Sequence, residues 1–448
     1  MNVAEEVIDL LARIVVIADD LTGANDTGLQ FAKKGFCTVS LLDPVHQESA
    51  QDADVWVINA ETRSLDRKDA YEKNKAIAEG MNLAEIPYVY KKIDSTMRGN
   101  IGSEINALLD SCPFDVAAVI PAYPVNRRTT VGGYHIIDQV LLEDSEIARD
   151  PKSPVNESHL PTLLREQAKQ TVGHIDLKTI RRDKSVLARE IVRQHESGTR
   201  LIVFDGYDQP DLQKATQALL DTRMRVLWVG SAGLADALSD ELVTDAGAHS
   251  AGRGKREREG SSDPVFVIAG SVSAITAGQI EVLKERPQFR IVMADPLRLL
   301  QRETVHQELE RALQETLDII DGGYSPVLVT DSSEQMRQAV ANWMKQTGTS
   351  GLAAGNAIAD CLGMLGVNVQ AKRKLRGFVL TGGDIAYRTC LHLQVKALQI
   401  VSEVEEGIPL SVIIGGPADK LPVVTKAGAF GNRFSLAKAV EKINTYEP

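Results

Sequence analysis

The chain has 448 residues, of which 43% are hydrophobic and 25% are charged, and its formal net charge is −11. This length allows two or three domains, and the acidic balance argues against broad nucleic-acid binding, which usually requires a basic face. Four cysteines lie far apart without a C-x-x-C pair, so neither a cysteine-based metal site nor a disulfide framework is indicated. We recognise no apolar stretch of the roughly 18 residues that a membrane span needs and no signal peptide. We therefore expect a cytoplasmic protein without a membrane partner.

Short β-rich runs alternate with helical patterns through the first half of the chain. The predicted strands are 14–18, 38–42, 55–59, 88–92, 116–121, 201–205 and 226–229, and the predicted helices include 67–80, 102–111, 160–170 and 185–196. Apolar runs of this length, bounded by Gly, Pro and Asp, are typical of strands buried on both faces of a parallel sheet. The alternation predicts a doubly wound α/β domain with helices on both faces.

Residues 244–263 interrupt this alternation with Gly, Ala, Ser and charged residues, which is typical of an exposed linker. Its basic residues are interleaved with glutamates, which favours a solvated segment over a binding site. Beyond the linker we predict strands at 265–269, 289–293, 326–330, 377–381, 397–401 and 410–414, and helices at 274–285, 304–320, 333–345 and 385–393. The sequence thus predicts two α/β domains, 1–243 and 264–448, each with a largely parallel sheet, and an active site in the interdomain cleft.

Two adjacent carboxylates, Asp19 and Asp20, follow the first predicted strand and precede a helical stretch. Ligands of parallel α/β sheets bind at the carboxyl ends of the strands, so these acids lie at the usual position of an active site in such a sheet. A plain alternative is that Asp20 or Thr22 only caps the helix. The density of acids and hydroxyls in this one turn favours a functional site.

Further strand ends in the first domain carry polar groups. Segment 91–100 combines lysines, an acid, hydroxyls and Arg98, segment 61–64 contains Arg63, and segment 121–130 contains two adjacent arginines. An arginine is suited to bidentate binding of a carboxylate, although surface pairing of Arg and Lys with Asp would also explain these residues. We predict a convergent pocket for a polyhydroxy acid. The histidines have no metal-ligand spacing, and we interpret them as structural or surface residues.

The second domain has three glycine-containing loops, although P-loop, Rossmann and protein-kinase signatures are missing. Segment 269–273 includes Ser271 and Ser273, segment 381–384 includes paired glycines, and segment 406–409 includes Gly407. Exposed N–H groups and hydroxyls at a helix N-terminus form a phosphate cradle. Each loop alone is more consistent with a turn, but three loops together favour a nucleotide site.

Seven motifs in order along the chain resemble those of the four-carbon acid sugar kinases: ADDLTGANDTG, KKIDSTMRGNIG, PAYPVNRRTT, DPKSPVNESHL, AGSVS, LTGGD and GGPADKLPVVTKAGAFG. The resemblance implies an N-terminal substrate domain, a C-terminal nucleotide domain, and ATP-dependent phosphorylation of the 4-hydroxyl of a C4 sugar acid with Mg²⁺. The KIDST form and the long DPKSPVNESHL loop resemble the D-threonate members most closely. D-erythronate and 3-oxo-tetronate remain alternative substrates, and a non-catalytic sensor remains an alternative of another class.

The resemblance also implies site residues. The implied sugar-acid contacts are Asp20, Arg63, Lys92, Ile93, Asp94, Ser95 and Arg98. The implied ATP contacts are Ser271, Ser273, Thr381, Gly382, Gly383, Asp384 and Gly407. We expect Asp20 to orient the attacking hydroxyl or accept its proton, and Arg63 to hold the substrate carboxylate. The metal ligands are not predicted, and a homo-oligomer is left open.

Overall fold

The structure is a computed structural model that describes residues 13–150, 153–243, 263–270 and 273–447. The chain divides into two compact units, Met1–Ala251 and Gly252–Pro448. Apart from Asp263, the predicted linker 244–263 and its basic cluster lie outside the described residues. The domain boundaries proposed from the sequence therefore stay a prediction.

The first unit is built on a parallel sheet and a small antiparallel one. Its strands are β1 (Ile14–Ala18), β2 (Thr38–Leu41), β3 (Val55–Asn59), β4 (Tyr88–Lys92), β5 (Val116–Ile120), β6 (Arg128–Val131), β7 (Tyr134–Ile137), β8 (Val140–Leu141), β9 (Val172–Ile175), β10 (Leu201–Phe204) and β11 (Val226–Gly230). The parallel sheet has the spatial order β2-β3-β1-β4-β11-β5-β10-β9, and β6, β7 and β8 form the antiparallel sheet. This order brings the carboxyl ends of β1 and β4 side by side.

Helices flank the parallel sheet of the first unit. They are α1 (Leu21–Lys33), α2 (Arg67–Gly80), α3 (Ile101–Ser111), α4 (Leu160–Gln167), α5 (Leu177–Ile180), α6 (Lys184–Glu196), α7 (Gln209–Asp221) and α8 (Ala232–Val243). Short 3-10 helices are Pro44–Ala50, Leu83–Glu85, Pro124–Asn126, Leu142–Asp144 and Glu146–Arg149. All five residues of β1 are buried, as expected for a strand covered on both faces.

The second unit combines parallel and antiparallel pairing in one sheet. Its strands are β12 (Val265–Ala269), β13 (Phe289–Ala294), β14 (Ser325–Thr330), β15 (Gly377–Thr381), β16 (Ala397–Glu405), β17 (Ile408–Ile414) and β18 (Pro422–Lys426). In the spatial order β13-β14-β12-β15-β18-β17-β16, the first five strands are parallel and the last two pairings are antiparallel. Its helices are α9 (Ala274–Lys284), α10 (Pro296–Leu300), α11 (Val305–Asp321), α12 (Glu334–Thr347), α13 (Gly351–Lys372), α14 (Gly383–His392) and α15 (Ser435–Thr445).

The predicted α/β architecture is confirmed, and every predicted strand is present with ends shifted by four residues or fewer. The sequence analysis missed β9 and β18, the small sheet of β6, β7 and β8, and several helices of which α13 is the longest. β6 and β7 carry charged and polar residues on both faces, so they show no apolar alternation. The helix α13 was missed because its small and apolar residues are distributed all around its axis rather than on one face.

The helix α13 also corrects the sequence-based statement about membrane spans. By length and composition alone, this 22-residue helix is apolar enough to cross a membrane. Its buried residues pack against α14, and a core helix of a globular domain passes the same test. The expectation that the sequence contains no such stretch is therefore wrong, whereas the absence of a membrane partner stays a prediction.

Candidate active site

Two carboxylates after β1 share the guanidinium of Arg63. Arg63 donates from Nε to Asp19 Oδ2 at 2.7 Å and from Nη2 to Asp19 Oδ1 at 2.9 Å. It also donates from Nη1 to Asp20 Oδ2 at 2.8 Å and from Nη2 to Asp20 Oδ1 at 2.7 Å. A guanidinium has five N–H groups, so these bonds leave one for any other acceptor. Arg63 therefore holds both acids in place through contacts within the protein alone.

Asp20 is both the N-cap of α1 and the acceptor of several donors. Its carboxylate accepts from the Gly23 N–H at 2.9 Å and from the Thr22 hydroxyl at 2.7 Å. Burial raises the pKa of Asp20, but Arg63, Lys92 and the Thr22 hydroxyl lower it further than burial raises it. The carboxylate is thus ionised at neutral pH. The capping interpretation and the functional interpretation of Asp20 are compatible, because one oxygen can cap while the charge faces a ligand.

Gly23 lies where Asp20 and Lys92 meet. A Cβ atom at Gly23 would lie 2.6 Å from Asp20 Oδ1 and 3.0 Å from Lys92 Nζ. The buried Lys92 donates its Nζ to the carbonyl of Ile93 at 2.8 Å. A Cβ atom at this position would therefore displace the Asp20 carboxylate, the Lys92 ammonium or both.

The turn after β4 contains the remaining predicted sugar-acid contacts. Arg98 donates from Nε to Asp94 Oδ2 at 2.5 Å and from Nη1 to Asp150 Oδ2 at 3.0 Å, and the Thr96 hydroxyl also donates to Asp94. Burial raises the pKa of Asp94, yet Arg98 and Arg63 lower it well below its ordinary value. Ile93 is buried, and its N–H donates to the Gly230 carbonyl at 2.9 Å. Asp94 is therefore an ionised carboxylate that is held in place by Arg98 and stabilised by the charge of Arg63.

His135 on β7 attaches the small sheet to the turn after β4. Its Nε2 lies 2.8 Å from the carbonyl oxygen of Ser95, and its Nδ1 lies 3.0 Å from the Thr130 hydroxyl. Because a carbonyl only accepts, Nε2 carries the proton and Nδ1 accepts from Thr130. Burial lowers the pKa of His135 to about 4, so the ring is neutral. The structural interpretation of this histidine agrees with these contacts, although its place beside Ser95 was not foreseen.

The predicted sugar-acid contacts thus converge at the carboxyl ends of neighbouring strands. Asp20 follows β1, Lys92 ends β4, and Arg63 follows β3, which pairs with β1. Ser153 donates its hydroxyl to the Arg63 carbonyl at 3.2 Å, and its N–H donates to Asp150 Oδ1 at 2.9 Å. The long loop that begins at Asp150 therefore joins the same cluster.

In the second unit, two predicted loops follow adjacent parallel strands. Ala269 of β12 pairs with Thr381 of β15, and the helices α9 and α14 begin shortly after these residues. Ser273 caps α9 through a 3.3 Å bond from the Ile275 N–H, while Gly383 and Asp384 form the first turn of α14. Two helix N-termini at one sheet edge favour binding of an anion such as phosphate. Ser271 lies outside the described residues.

Gly407 differs from the other predicted ATP contacts in its setting. It lies with φ of 70° in the tight turn between the antiparallel strands β16 and β17, not between a strand and a helix. Thr381 is buried, and its hydroxyl oxygen has no hydrogen-bond partner within the part of the chain that the structure describes. Gly382 donates its N–H to the Lys426 carbonyl at 2.9 Å. The last strand, β18, therefore supports the Thr381–Asp384 loop from one side.

Lys426 was not foreseen in the sequence. Its buried Nζ donates to the carbonyls of Ala427 at 2.9 Å and Phe430 at 3.2 Å, and burial lowers its pKa to about 8. The TKAGAFG segment was part of the family resemblance, but nothing in the sequence indicates that its lysine turns back onto its own loop. The side chain orders residues 427–430 beside α9.

Comparison with known proteins identifies both units. A family model described as a sugar-binding N-terminal domain matches residues 14–238, and one described as a nucleotide-binding C-terminal domain matches residues 266–436. A D-threonate kinase from Salmonella typhimurium is 32% identical over 96% of this chain and 97% of its own length. The chain belongs to the four-carbon acid sugar kinase family. A D-erythronate kinase from Heliobacterium modesticaldum is 30% identical over 97% of this chain and 98% of its own length.

The chain also resembles solved structures. One from Salmonella typhimurium LT2, described as a putative tRNA synthase, has a TM-score of 0.78 and 26% sequence identity, with coverage of 95% of this chain and 98% of the other. The resemblance stated from the motifs is thereby confirmed. The chain is a kinase of a four-carbon sugar acid, and its kinase relatives imply that it uses ATP.

Proposed function

We propose that the chain transfers the γ-phosphoryl group of ATP to the 4-hydroxyl of D-threonate, giving D-threonate 4-phosphate and ADP. The observation that carries this proposal is the cluster of Asp20, Arg63, Lys92 and Asp94 at neighbouring strand ends. A four-carbon acid presents a carboxylate and several hydroxyls, and this cluster offers cations and ionised carboxylates at short range. The relatives named D-threonate kinase and the KIDST form of the turn support D-threonate over other C4 acids.

Asp20 would accept a hydrogen bond from the 4-hydroxyl and thereby orient the hydroxyl oxygen of the substrate toward the γ-phosphorus. Because its pKa is lowered, Asp20 is a weak base before the reaction begins. A loose phosphoryl-transfer transition state requires positioning and charge stabilisation more than early proton removal. A weakly basic carboxylate suits this chemistry, since the hydroxyl becomes acidic only as the new P–O bond forms. Arg63 would keep Asp20 at one orientation through its two hydrogen bonds.

The nucleotide would bind at the two helix N-termini that follow β12 and β15. Ser273, Thr381 and the first turn of α14 would donate hydrogen bonds to phosphate oxygens. Among the described residues there is no cluster of three or more His, Cys, Asp or Glu side chains that could hold a metal ion. Mg²⁺ binds in kinase sites largely through substrate phosphates. Bound Mg²⁺ would neutralise charge on the ATP phosphates, and Asp384, one of the predicted ATP contacts, is the acid in the first turn of α14.

The test is release of ADP from ATP·Mg²⁺ by the purified protein with D-threonate, D-erythronate, L-threonate and 3-oxo-tetronate. We expect D-threonate to give the highest kcat/KM. If none of these acids leads to release of ADP, the proposed function is contradicted. A preference for D-erythronate would assign the substrate differently within the same reaction.

The role of Asp20 is tested by Asp20→Asn with Asp66→Asn as a matched control. Asp66 is the exposed N-cap of α2 and accepts from the Asp69 N–H at 2.9 Å. Asn caps a helix about as well as Asp, so both variants keep the cap and lose only a charge. We expect D20N to lower kcat by about 100-fold or more and D66N to change it by less than about twofold. Near-normal turnover of D20N would contradict the assignment.

A further inference from the structure

Arg128 is a cation in the first unit without an anionic partner among the described residues. It begins β6, and its Nη1 donates to the carbonyl of Asn126 at 2.6 Å. Its Nε is buried, and no described residue accepts a hydrogen bond from it. Among the residues that the structure describes, no carboxylate oxygen lies within 4.0 Å of its guanidinium. An arginine pairs most strongly with a carboxylate, which can accept from two of its N–H groups at once.

The backbone around Arg128 is fixed at both ends of the small sheet. Arg128 exchanges two backbone hydrogen bonds with Tyr123, at 2.8 and 3.1 Å, and the Thr130 N–H donates to the Gly206 carbonyl at 2.9 Å. His135, the partner of Thr130 across the β6–β7 pair, bonds to the Ser95 carbonyl at 2.8 Å. Arg128 and Thr130 are two residues apart on β6, so their side chains lie on the same face of the strand, and on that face Thr130 contacts the histidine that bonds to Ser95.

Two of the charged groups that act on Arg128, Asp94 and Arg98, belong to the predicted sugar-acid site. Burial lowers the pKa of the Arg128 guanidinium, Asp94 and Tyr123 act in the opposite direction, and Arg98 acts with burial. Asp94 is bound by Arg98 at 2.5 Å and makes no ion pair with Arg128 in the described part of the chain. The guanidinium thus lies near the substrate cluster while its own charge is not balanced by a direct partner.

The two other arginines of the cluster, Arg63 and Arg98, are occupied by carboxylates. Arg63 makes four hydrogen bonds to Asp19 and Asp20 and has one N–H left. Arg98 is bound to Asp94 and Asp150, and its Nη1 donates to the latter at 3.0 Å. Bidentate binding of a substrate carboxylate by Arg63 would require Arg63 to lose a hydrogen bond to Asp19 or Asp20. Burying an unpaired cation is unfavourable, and an incoming carboxylate would relieve this cost at Arg128.

We infer that Arg128 binds the C1 carboxylate of the sugar acid and sets the preference of the enzyme for acids over uncharged polyols. This inference rests on the proposed function for the identity of the ligand. Arg63 then keeps the role of orienting Asp20.

The test compares Arg128→Gln with Arg127→Gln as a matched control. Arg127 is the preceding residue, is mostly exposed, and forms a surface ion pair with Asp138 at 2.9 Å. Each variant is assayed with the preferred C4 acid and with its uncharged primary amide. We expect R128Q to lower kcat/KM for the acid by about 30- to 300-fold and for the amide by less than about threefold. The control R127Q should change neither value by more than about twofold.

The inference would be overturned if R128Q lowered kcat/KM equally for the acid and the amide, or if it lowered kcat/KM for neither. Arg128→Lys provides a second variant that keeps the charge but not the planar guanidinium. Its kcat/KM for the acid should lie between those of wild type and R128Q, and its kcat/KM for the amide should stay close to that of wild type. If wild type phosphorylates no C4 acid, the proposed function fails, and calorimetric binding of the same acids then decides the role of Arg128. Binding to wild type that is lost in R128Q supports the carboxylate site, whereas equal binding to both, or none to wild type, contradicts it.

Discussion

Carboxylates are paired with arginines at the carboxyl ends of β1 and β4. Arg63 binds both Asp19 and Asp20, and Arg98 binds both Asp94 and Asp150. Such pairing holds the pKa of Asp20 and Asp94 below their ordinary values, because the adjacent cations stabilise the ionised forms. The site is therefore ionised before a substrate binds, and it can orient hydroxyls without rearrangement of its own charges.

His135 makes the stability of the protein depend on pH. Burial lowers its pKa from 6.5 to about 4, so between these values the unfolded chain binds a proton that the folded chain does not. The stabilising contribution is complete above pH 6.5 and is lost as the pH falls toward 4. From pH 7 to 4.5, we expect the free energy of unfolding of wild type to fall by about 2–3 kcal/mol more than that of His135→Gln.

Chemical denaturation at several pH values measures this difference. His306→Gln is the matched control, because His306 is exposed on α11 and pairs only with Glu310 on the same helix. This control should keep the pH dependence of wild type. The same pH dependence in H135Q as in wild type would show that His135 is not the group responsible.

At the scale of elements, the packing of α13 on α14 depends on small residues at their contact. A Cβ atom at Gly363 would lie 2.8 Å from His392 Cδ2 and 3.1 Å from the Arg388 carbonyl oxygen. The backbone of Arg388 belongs to α14 and cannot move independently of its helix. Since α14 begins at the Thr381–Asp384 loop, the glycine of α13 also influences where the first turn of α14 lies.

Gly363→Ala should therefore destabilise the second unit by about 1–3 kcal/mol through overpacking. Gly355→Ala is the matched control, because Gly355 lies on the same helix and a Cβ there would contact nothing within 4 Å. We expect G355A to be neutral or to stabilise by up to about 1 kcal/mol through helix propensity. Thermal unfolding of the three proteins measures both effects, and a G363A protein as stable as G355A would contradict the packing argument.

Individual elements also show where prediction from sequence succeeded. The strands β1 and β4 were predicted with their observed ends, because continuous apolar runs followed by polar turns are the local signature of buried parallel strands. The strand β9 was missed because its sequence, VGHI, contains a glycine and a histidine. Its strand conformation depends on pairing with β10, which is a long-range contact that no local pattern encodes.

For the whole molecule, the two units have separate cores and, under the proposed function, separate ligands. Hydrogen exchange measured by mass spectrometry should then show a different footprint for each ligand. The sugar acid should slow exchange at 92–98 and 128–136, and ATP·Mg²⁺ should slow exchange at 273–276 and 381–386, because binding reduces local opening. The exposed face of α6 serves as an internal control. Protection of 381–386 by the sugar acid alone would contradict this assignment of ligands to units.

The sequence by itself determined the α/β class, the strand ends that carry polar groups, and the family, because these depend on local patterns and on motifs in order. It also located Asp20 and the Lys92–Arg98 turn in the predicted site. Only the tertiary structure decided which charges are paired. Arg63 meets Asp19 and Asp20 across 44 and 43 positions of sequence, whereas Arg128 meets no carboxylate among the described residues. Pairing follows from the order of strands in the sheet, and the distances that this order sets between side chains cannot be obtained from their spacing along the chain.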